Sequence, residues 1–181
     1  LLPADRLTSA KATAVGAHVL VYGATTGRDG IGGASVLASA ELGEGDADKR
    51  PSVQVGDPFT GKRLIEVSVE LVERGLVLSL QDCGAAGLAS SLSEMAADFG
   101  IDVHLDRVPL REQGMEPWEV MISESQERMV AIVAPERLAE VEDVIDRVPL
   151  LRAKAAYAKQ AIRDKLIEHR QYISRHGEAM P

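Results

Sequence analysis

Short apolar runs of strand length, separated by stretches of helical period and by glycine-rich turns, constrain this chain more than any other feature. Val19–Tyr22 is a β-prone run ended by Gly23, and Met129–Val133 is another. Leu76–Leu80 is apolar at every position but Ser79, close to the pattern of a strand buried on both faces. Residues 101–106 (IDVHLD) alternate apolar and polar positions, as a half-buried strand does. The run SVQV reads as a strand ahead of Asp57 and Pro58, which suit the N-cap and first position of a helix. Along that helix Leu64, Ser68 and Leu71 share one stripe, Ile65, Val69 and Val72 a neighbouring one, and Gly75 supplies the stop. Further helices are expected from about Ser90 to Phe99, around Trp118–Met121, and from Pro135 through Leu138 and Val141.

That order predicts an α+β fold, a split βαβ sheet with helices packed on it. A complete unit of this kind needs one more strand after the Pro135 helix, and no strand-like run is found between residues 143 and 181. From about Leu150 to Arg175 the period is helical: Leu151, Ala155, Ala158, Ile162, Leu166, His169 and Ile173 recur at spacings of three and four. The opposite face is rich in Lys and Arg, so one long amphipathic C-terminal helix is expected, in need of a partner surface.

Composition narrows the function classes. With 181 residues, 45% hydrophobic and 27% charged, the chain can bury a core. Aromatics are only 3%, which leaves little for a surface that stacks nucleic-acid bases. A net charge of −8 argues against a general phosphate-backbone binder. The charge is uneven: residues 1–142 carry 12 basic and 23 acidic side chains, whereas residues 143–181 carry 8 and 5. The single cysteine, Cys83, excludes an intrachain disulfide, and no apolar run approaches the roughly 20 residues of a membrane span. That cysteine content favours a cytoplasmic setting; the opening LLPADRLTSAK has no signal-peptide pattern, and the missing initiator Met suggests a partial chain.

Several polar residues stand where chemistry could be done. The loop TTGRDGIGGAS, residues 25–35, could cradle an anion on its backbone N–H groups or could simply be a tight turn; it matches no nucleotide-binding fingerprint. Asp82 follows a buried strand beside the turn CGAAG, a position suited to a Mg²⁺ ligand or to capping the turn. Glu124, Ser125, Gln126, Glu127 and Arg128 form a polar cluster ahead of a strand, able to hydrogen-bond a small molecule or to be a solvated turn. Gln54 is an amide in a strand-like run. Cys83, beside Asp82, reads as packing, and His18, His104, His169 and His176 lack metal-ligand spacing.

The motifs DGIGGAS, SVQVGDPF, LQDCGAAGL, VPLREQGMEPWE and MISESQERM occur in a fixed order. Over about residues 15–138 this series resembles the large, synthetase subunit of phosphoribosylformylglycinamidine synthase. The resemblance implies a C-terminal-type half-domain of the aminoimidazole ribonucleotide synthetase superfold, a sheet with helices on one face. It implies an ATP-dependent ligase of purine synthesis that converts formylglycinamide ribonucleotide to the amidine with glutamine-derived ammonia. ATP and Mg²⁺ are the implied cofactors, and a glutaminase subunit and a small accessory subunit the implied partners. Gln54, Glu124, Ser125 and Gln126 would contact substrate and Asp82 would ligate Mg²⁺. The glycine loop would shape the cleft between half-domains.

The family's catalytic and ATP-contacting groups belong to a half-domain preceding Leu1, so no catalytic residue is assigned here and the chain is expected to be inactive alone. Residues 143–181 carry DVIDRVP, KLIEHRQYI and HGEAMP, which resemble the C-terminal tail of phosphoketolase. On that resemblance the chain divides into a partial synthetase domain, 1–142, and a helical tail of different origin, 143–181. The missing last strand would leave an open sheet edge and favour self-association. A non-catalytic interaction or dimerisation module is the competing reading, and a phosphoketolase fragment a third.

Overall fold

The structure, a computed structural model, describes residues 7–31, 54–148, 151 and, as backbone, 154–157. Its centre is an antiparallel sheet of β1 (His18–Gly23), β2 (Ser79–Asp82), β3 (Arg128–Val133) and β4 (Lys154–Tyr157), in the order β2-β3-β1-β4. Helix α1 (Pro58–Glu73) connects β1 to β2, and α4 (Leu138–Asp146), entered through a 3-10 turn at Pro135–Arg137, connects β3 to β4. Between β2 and β3 the chain forms α2 (Gly87–Met95) and α3 (Pro117–Ile122). This is the split βαβ arrangement, completed by its last strand.

That strand corrects the expectation that none exists after residue 143. Lys154–Tyr157 pairs with β1 from His18↔Tyr157 to Val21↔Lys154. It also corrects the start of the expected terminal helix, since Ala155 is in a strand; residues 158–181 lie outside the described residues. The sequence KAAY has alanine's helical preference, but propensity is a weak prior against a free sheet edge. Helix α4 runs without a break across residue 142.

Alternation along β1 and β3 makes two cores from one sheet. Leu20, Tyr22, Ala131 and Val133 face α1 and α4, where they meet Leu64, Val67, Leu71, Val141, Val144 and Ile145. Val19, Val21, Val130 and Ile132 face the other way, against Leu88, Leu92 and Met95 of α2 and Val120 of α3. The helix layer expected on one face is therefore α1 with α4, and α2 with α3 add a layer on the second. Each fully buried Leu or Val contributes roughly 1.5–3 kcal/mol, so both layers matter to stability.

Local signals explain where the helices begin and end. Asp57 caps α1, accepting from the backbone N–H of Phe59 (3.0 Å) and Thr60 (3.3 Å), and Gly75 ends it with φ +62°. Leu64 and Leu71 of the first stripe are buried and Ser68 half-buried, but Ile65 and Val69 on its neighbour are 66% and 48% exposed. Helices α1 and α4 are tied across their outer surfaces by Arg147–Glu70 (2.6 Å) and Arg74–Glu140 (2.5 Å), with Arg74–Glu70 (2.8 Å) linking the two pairs within the end of α1.

Three expectations shift. Strand β2 starts only at Ser79; Leu76 is buried but precedes it, and Val77 and Leu78 are half-buried, because β2 is an edge strand. The helix expected at 90–99 occupies Gly87–Met95. Residues 101–106 form no strand: β2 and β3 pair directly and leave no place between them. Instead Ile101, Val103 and Leu105 pack on the second core, ending in a 3-10 turn at Leu105–Arg107.

Candidate functional site

The C-terminal ends of β1 and β2, the N-terminal end of α1 and the segment entering β3 meet at one end of the sheet. Pairing of Gly23 with Arg128 and of Asp82 with Met129 puts them there. Connections from several elements therefore converge on this end of the antiparallel sheet.

Three of the four substrate-contact candidates form one cluster. Glu124 is 2% exposed, and its carboxylate accepts from the backbone N–H of Ala86 (Oε1, 3.0 Å) and from the Gln54 amide (Oε2, 2.5 Å). The Gln126 amide donates to Gln54 Oε1 at 3.0 Å and to the Glu124 carbonyl at 2.9 Å. The buried carboxylate thus orients the first amide, which in turn engages the second. Gln54 is exposed and Gln126 half-exposed, so the cluster has a solvent-facing side.

Ser125 is 1% exposed and turns the other way, into the glycine loop. Its hydroxyl accepts from the Gly27 N–H at 2.9 Å and donates to the Asp29 carboxylate. Ser123 donates to the Gly27 carbonyl at 2.6 Å. Burial pushes the Asp29 carboxyl up, but hydrogen bonds from Ser125 and Arg111 more than offset this and leave it below its ordinary range. Over its described part the glycine loop is therefore a brace. At Gly30 (φ +67°) a Cβ would lie 2.6 Å from the Cβ of Glu124, so only glycine lets the loop approach that carboxylate.

Arg128 lies under the cluster, 2% exposed. Its guanidinium donates to the Ser125 carbonyl (Nε, 2.8 Å), Thr26 hydroxyl (Nη1, 2.9 Å) and Ser123 carbonyl (Nη2, 2.5 Å). Burial lowers its affinity for the proton, opposed by the nearby Cys83 and Asp29. Burial likewise pushes the Cys83 thiol up, which agrees with packing rather than nucleophilic chemistry. Glu127, beside Arg128, has φ +55° and accepts on its carbonyl from the Ala24 N–H at 2.8 Å. The sequence marked Arg128 only as a member of a polar cluster, and Asp29, Thr26 and Ser123 were not singled out. The signal the sequence offers is the polar run SESQER, residues 123–128, together with a glycine-rich loop elsewhere in the chain.

Asp82 is exposed at the end of β2, and the next residue returns to the cluster: the Cys83 N–H donates to the Arg128 carbonyl at 3.1 Å. One exposed carboxylate suits a single oxygen ligand of Mg²⁺, which keeps several waters and shares phosphate oxygens. Among the described residues no group of three or more His, Cys, Asp or Glu could hold a metal ion. No helix of the described residues is long and apolar enough to cross a membrane.

Comparison with known proteins gives the same architecture. A subunit PurL of phosphoribosylformylglycinamidine synthase from Carboxydothermus hydrogenoformans is 59% identical over 131 residues, 71% of this chain and 18% of that protein. The PurL subunit of Rhodopseudomonas palustris is 44% identical over 179 residues, 98% of this chain and 23% of its own length. The structure of T. maritima PurL complexed with FGAR superimposes with a TM-score of 0.77 at 47% identity, over 86% of this chain and 26% of that one. The T. maritima protein has also been solved with ATP and as PurLQS. The chain thus spans less than a quarter of the curated relatives named here.

These findings do not support a phosphoketolase origin for residues 143–181. The family match runs past residue 142 to residue 157, and the R. palustris alignment takes in nearly the whole chain. The model of the family AIR synthase related protein, C-terminal domain, matches residues 14–157, and the chain belongs to that family.

Proposed function

We propose that this domain supplies the formylglycinamide ribonucleotide-contacting face of an ATP-dependent, amidine-forming ligase of purine synthesis. The convergence of Gln54, Glu124 and Gln126 in one hydrogen-bonded cluster carries the reading. The cluster lies in a domain 47% identical to a protein solved with FGAR. In the reaction the substrate amide oxygen is phosphorylated by ATP, and ammonia then displaces phosphate.

The residues' part in this is recognition and orientation. Glu124 is committed on both oxygens, to the Ala86 N–H and the Gln54 amide, and acts by fixing that amide. Gln54 and Gln126 turn their remaining donor and acceptor capacity toward the ligand. Ser125 holds the glycine loop and Asp29, and so supports the contacts of its neighbours. Asp82 would supply one oxygen to Mg²⁺, which neutralises phosphate charge when bound. We assign no phosphoryl-transfer residue to this chain and expect no synthesis by it alone. The unit would act with a glutaminase subunit and a small accessory subunit, in the cytoplasm. The fold unit is taken to extend through β4.

Calorimetric titration with formylglycinamide ribonucleotide tests the reading. Saturable binding, weakened by Gln54→Ala and by Glu124→Gln, is expected; equal affinity of both variants and wild type would overturn it. A second reading, an interaction module, is favoured by the exposed Phe59, Ile65 and Val69 on α1. Concentration-dependent sedimentation together with absent ligand binding would favour it instead.

A further inference from the structure

Arg128 is a long cationic side chain taken almost wholly out of water, where its three donor nitrogens meet oxygens from three chain positions. Those positions are Thr26, just past β1, and Ser123 and Ser125, on either side of Glu124. A buried guanidinium demands fixed acceptors, and its planar fork fixes them in turn. The carbonyls of Ser123 and Ser125 are therefore held to one plane, and the backbone between them, which carries Glu124, has little freedom.

The same fork reaches the second half of the cluster. Gly87, at the start of α2 with φ +53°, is so close to the Ser123 carbonyl that a Cβ there would lie 1.9 Å from its oxygen. Next to it Ala86, with φ +57°, donates its N–H to Glu124. Holding Ser123 thus also sets the distance between Glu124 and the turn that completes its hydrogen bonding. On the other side Ser125, held by the Arg128 Nε, engages Gly27 and Asp29.

We propose that Arg128 is a positioning residue. Its three-way fork fixes the carboxylate of Glu124 against the Ala86 N–H, and through it the Gln54 amide, in the geometry that receives the ligand. Arg128 itself touches no ligand. The ligand part rests on the functional reading above; the positioning part does not.

The test compares wild type with Arg128→Lys, Thr26→Val and a control, Val144→Ala, in the core across the sheet. Each is measured by urea denaturation, by calorimetry with formylglycinamide ribonucleotide, and by amide hydrogen exchange at Ala86 and Gly27. Lysine keeps the charge without the fork, so affinity should fall roughly 10-fold or more, with faster exchange at both amides. Thr26→Val, which removes one acceptor, should show the same changes at about threefold. Val144→Ala should lower stability while leaving affinity and both amides unchanged.

Wild-type affinity and wild-type exchange in Arg128→Lys would overturn the proposal. So would a loss of affinity in Val144→Ala equal to that in Arg128→Lys at matched stability. Should Arg128→Lys fail to fold, Thr26→Val decides: weaker binding and faster exchange support the proposal, and neither change overturns it. Should wild type not bind the ribonucleotide, the functional reading fails, and the two amides alone still decide whether Arg128 positions Glu124.

Discussion

Two of this domain's arginine-centred networks lie in opposite surroundings. On the outside, Arg74, Arg147 and Arg137 join Glu70 and Glu140 across α1 and α4, with side chains 36–53% exposed. At the end of the sheet, Arg128 meets two carbonyls and a hydroxyl at 2% exposure. The outer pairs keep their water and exchange one solvated partner for another, so they add little. The inner guanidinium has lost its water, and any acceptor it fails to meet stays unmet. The second network thus grips the backbone on both sides of Glu124, at Ser123 and Ser125.

The largest break in that contrast is Arg128→Met, which strands the Ser123 and Ser125 carbonyls and the Thr26 hydroxyl. It should cost about 3 kcal/mol or more in urea denaturation, since each buried acceptor left without a donor costs roughly 1–3 kcal/mol. Gly87→Ala should follow, at upwards of about 2 kcal/mol, because it combines a left-handed φ with a collision against the Ser123 carbonyl.

Asp29→Asn sharpens the comparison through pH. The Asp29 carboxyl sits below its ordinary range in the fold, so its ionised form is the one that stabilises. That contribution, roughly 1 kcal/mol, is complete above the unfolded carboxylate pKa near 4 and is lost as pH falls through the lower folded value. The stability gap between wild type and variant should be present at pH 7 and close in acid. A gap independent of pH would contradict the assignment.

Tyr22 works in the alkaline range. Burial pushes its hydroxyl up to about 12, against the pull of its hydrogen bond with Ser68. Here the neutral form is the stabilising one, so stability should fall as pH rises from about 10 through 12, and Tyr22→Phe should remove that slope. Smallest of all, Arg74→Ala should leave the melting curve within experimental error; a clear loss would show that the outer network is more than a solvated surface.

Much of the fold was legible. The Asp57–Pro58 start and Gly75 stop defined α1, and apolar runs located β1 and β3, because those signals are local. β4 was not legible: KAAY has the composition of a helix, and only the unpaired edge of β1 makes it a strand. The alternation at 101–106 misled for the complementary reason, since apolar spacing satisfied by packing on the second core looks the same as a strand. At the site, the polar run 124–126 and the distant Gln54 were named from sequence, and the structure brings Gln54, Glu124 and Gln126 together. Ser125 faces inward instead, and Arg128 goes beneath the cluster. A charged residue at the end of ESQER reads as solvated until the partners from Thr26 and Ser123 are seen.

The most direct measurement is an NMR titration of the chain with formylglycinamide ribonucleotide, following the side-chain amides of Gln54 and Gln126 and the backbone amide of Ala86. Saturable shifts at these groups, with Leu64 and Leu71 of the dry core unmoved, are the predicted result. Saturating ligand that leaves all three unmoved, or moves only resonances of the α1 surface, would contradict the account.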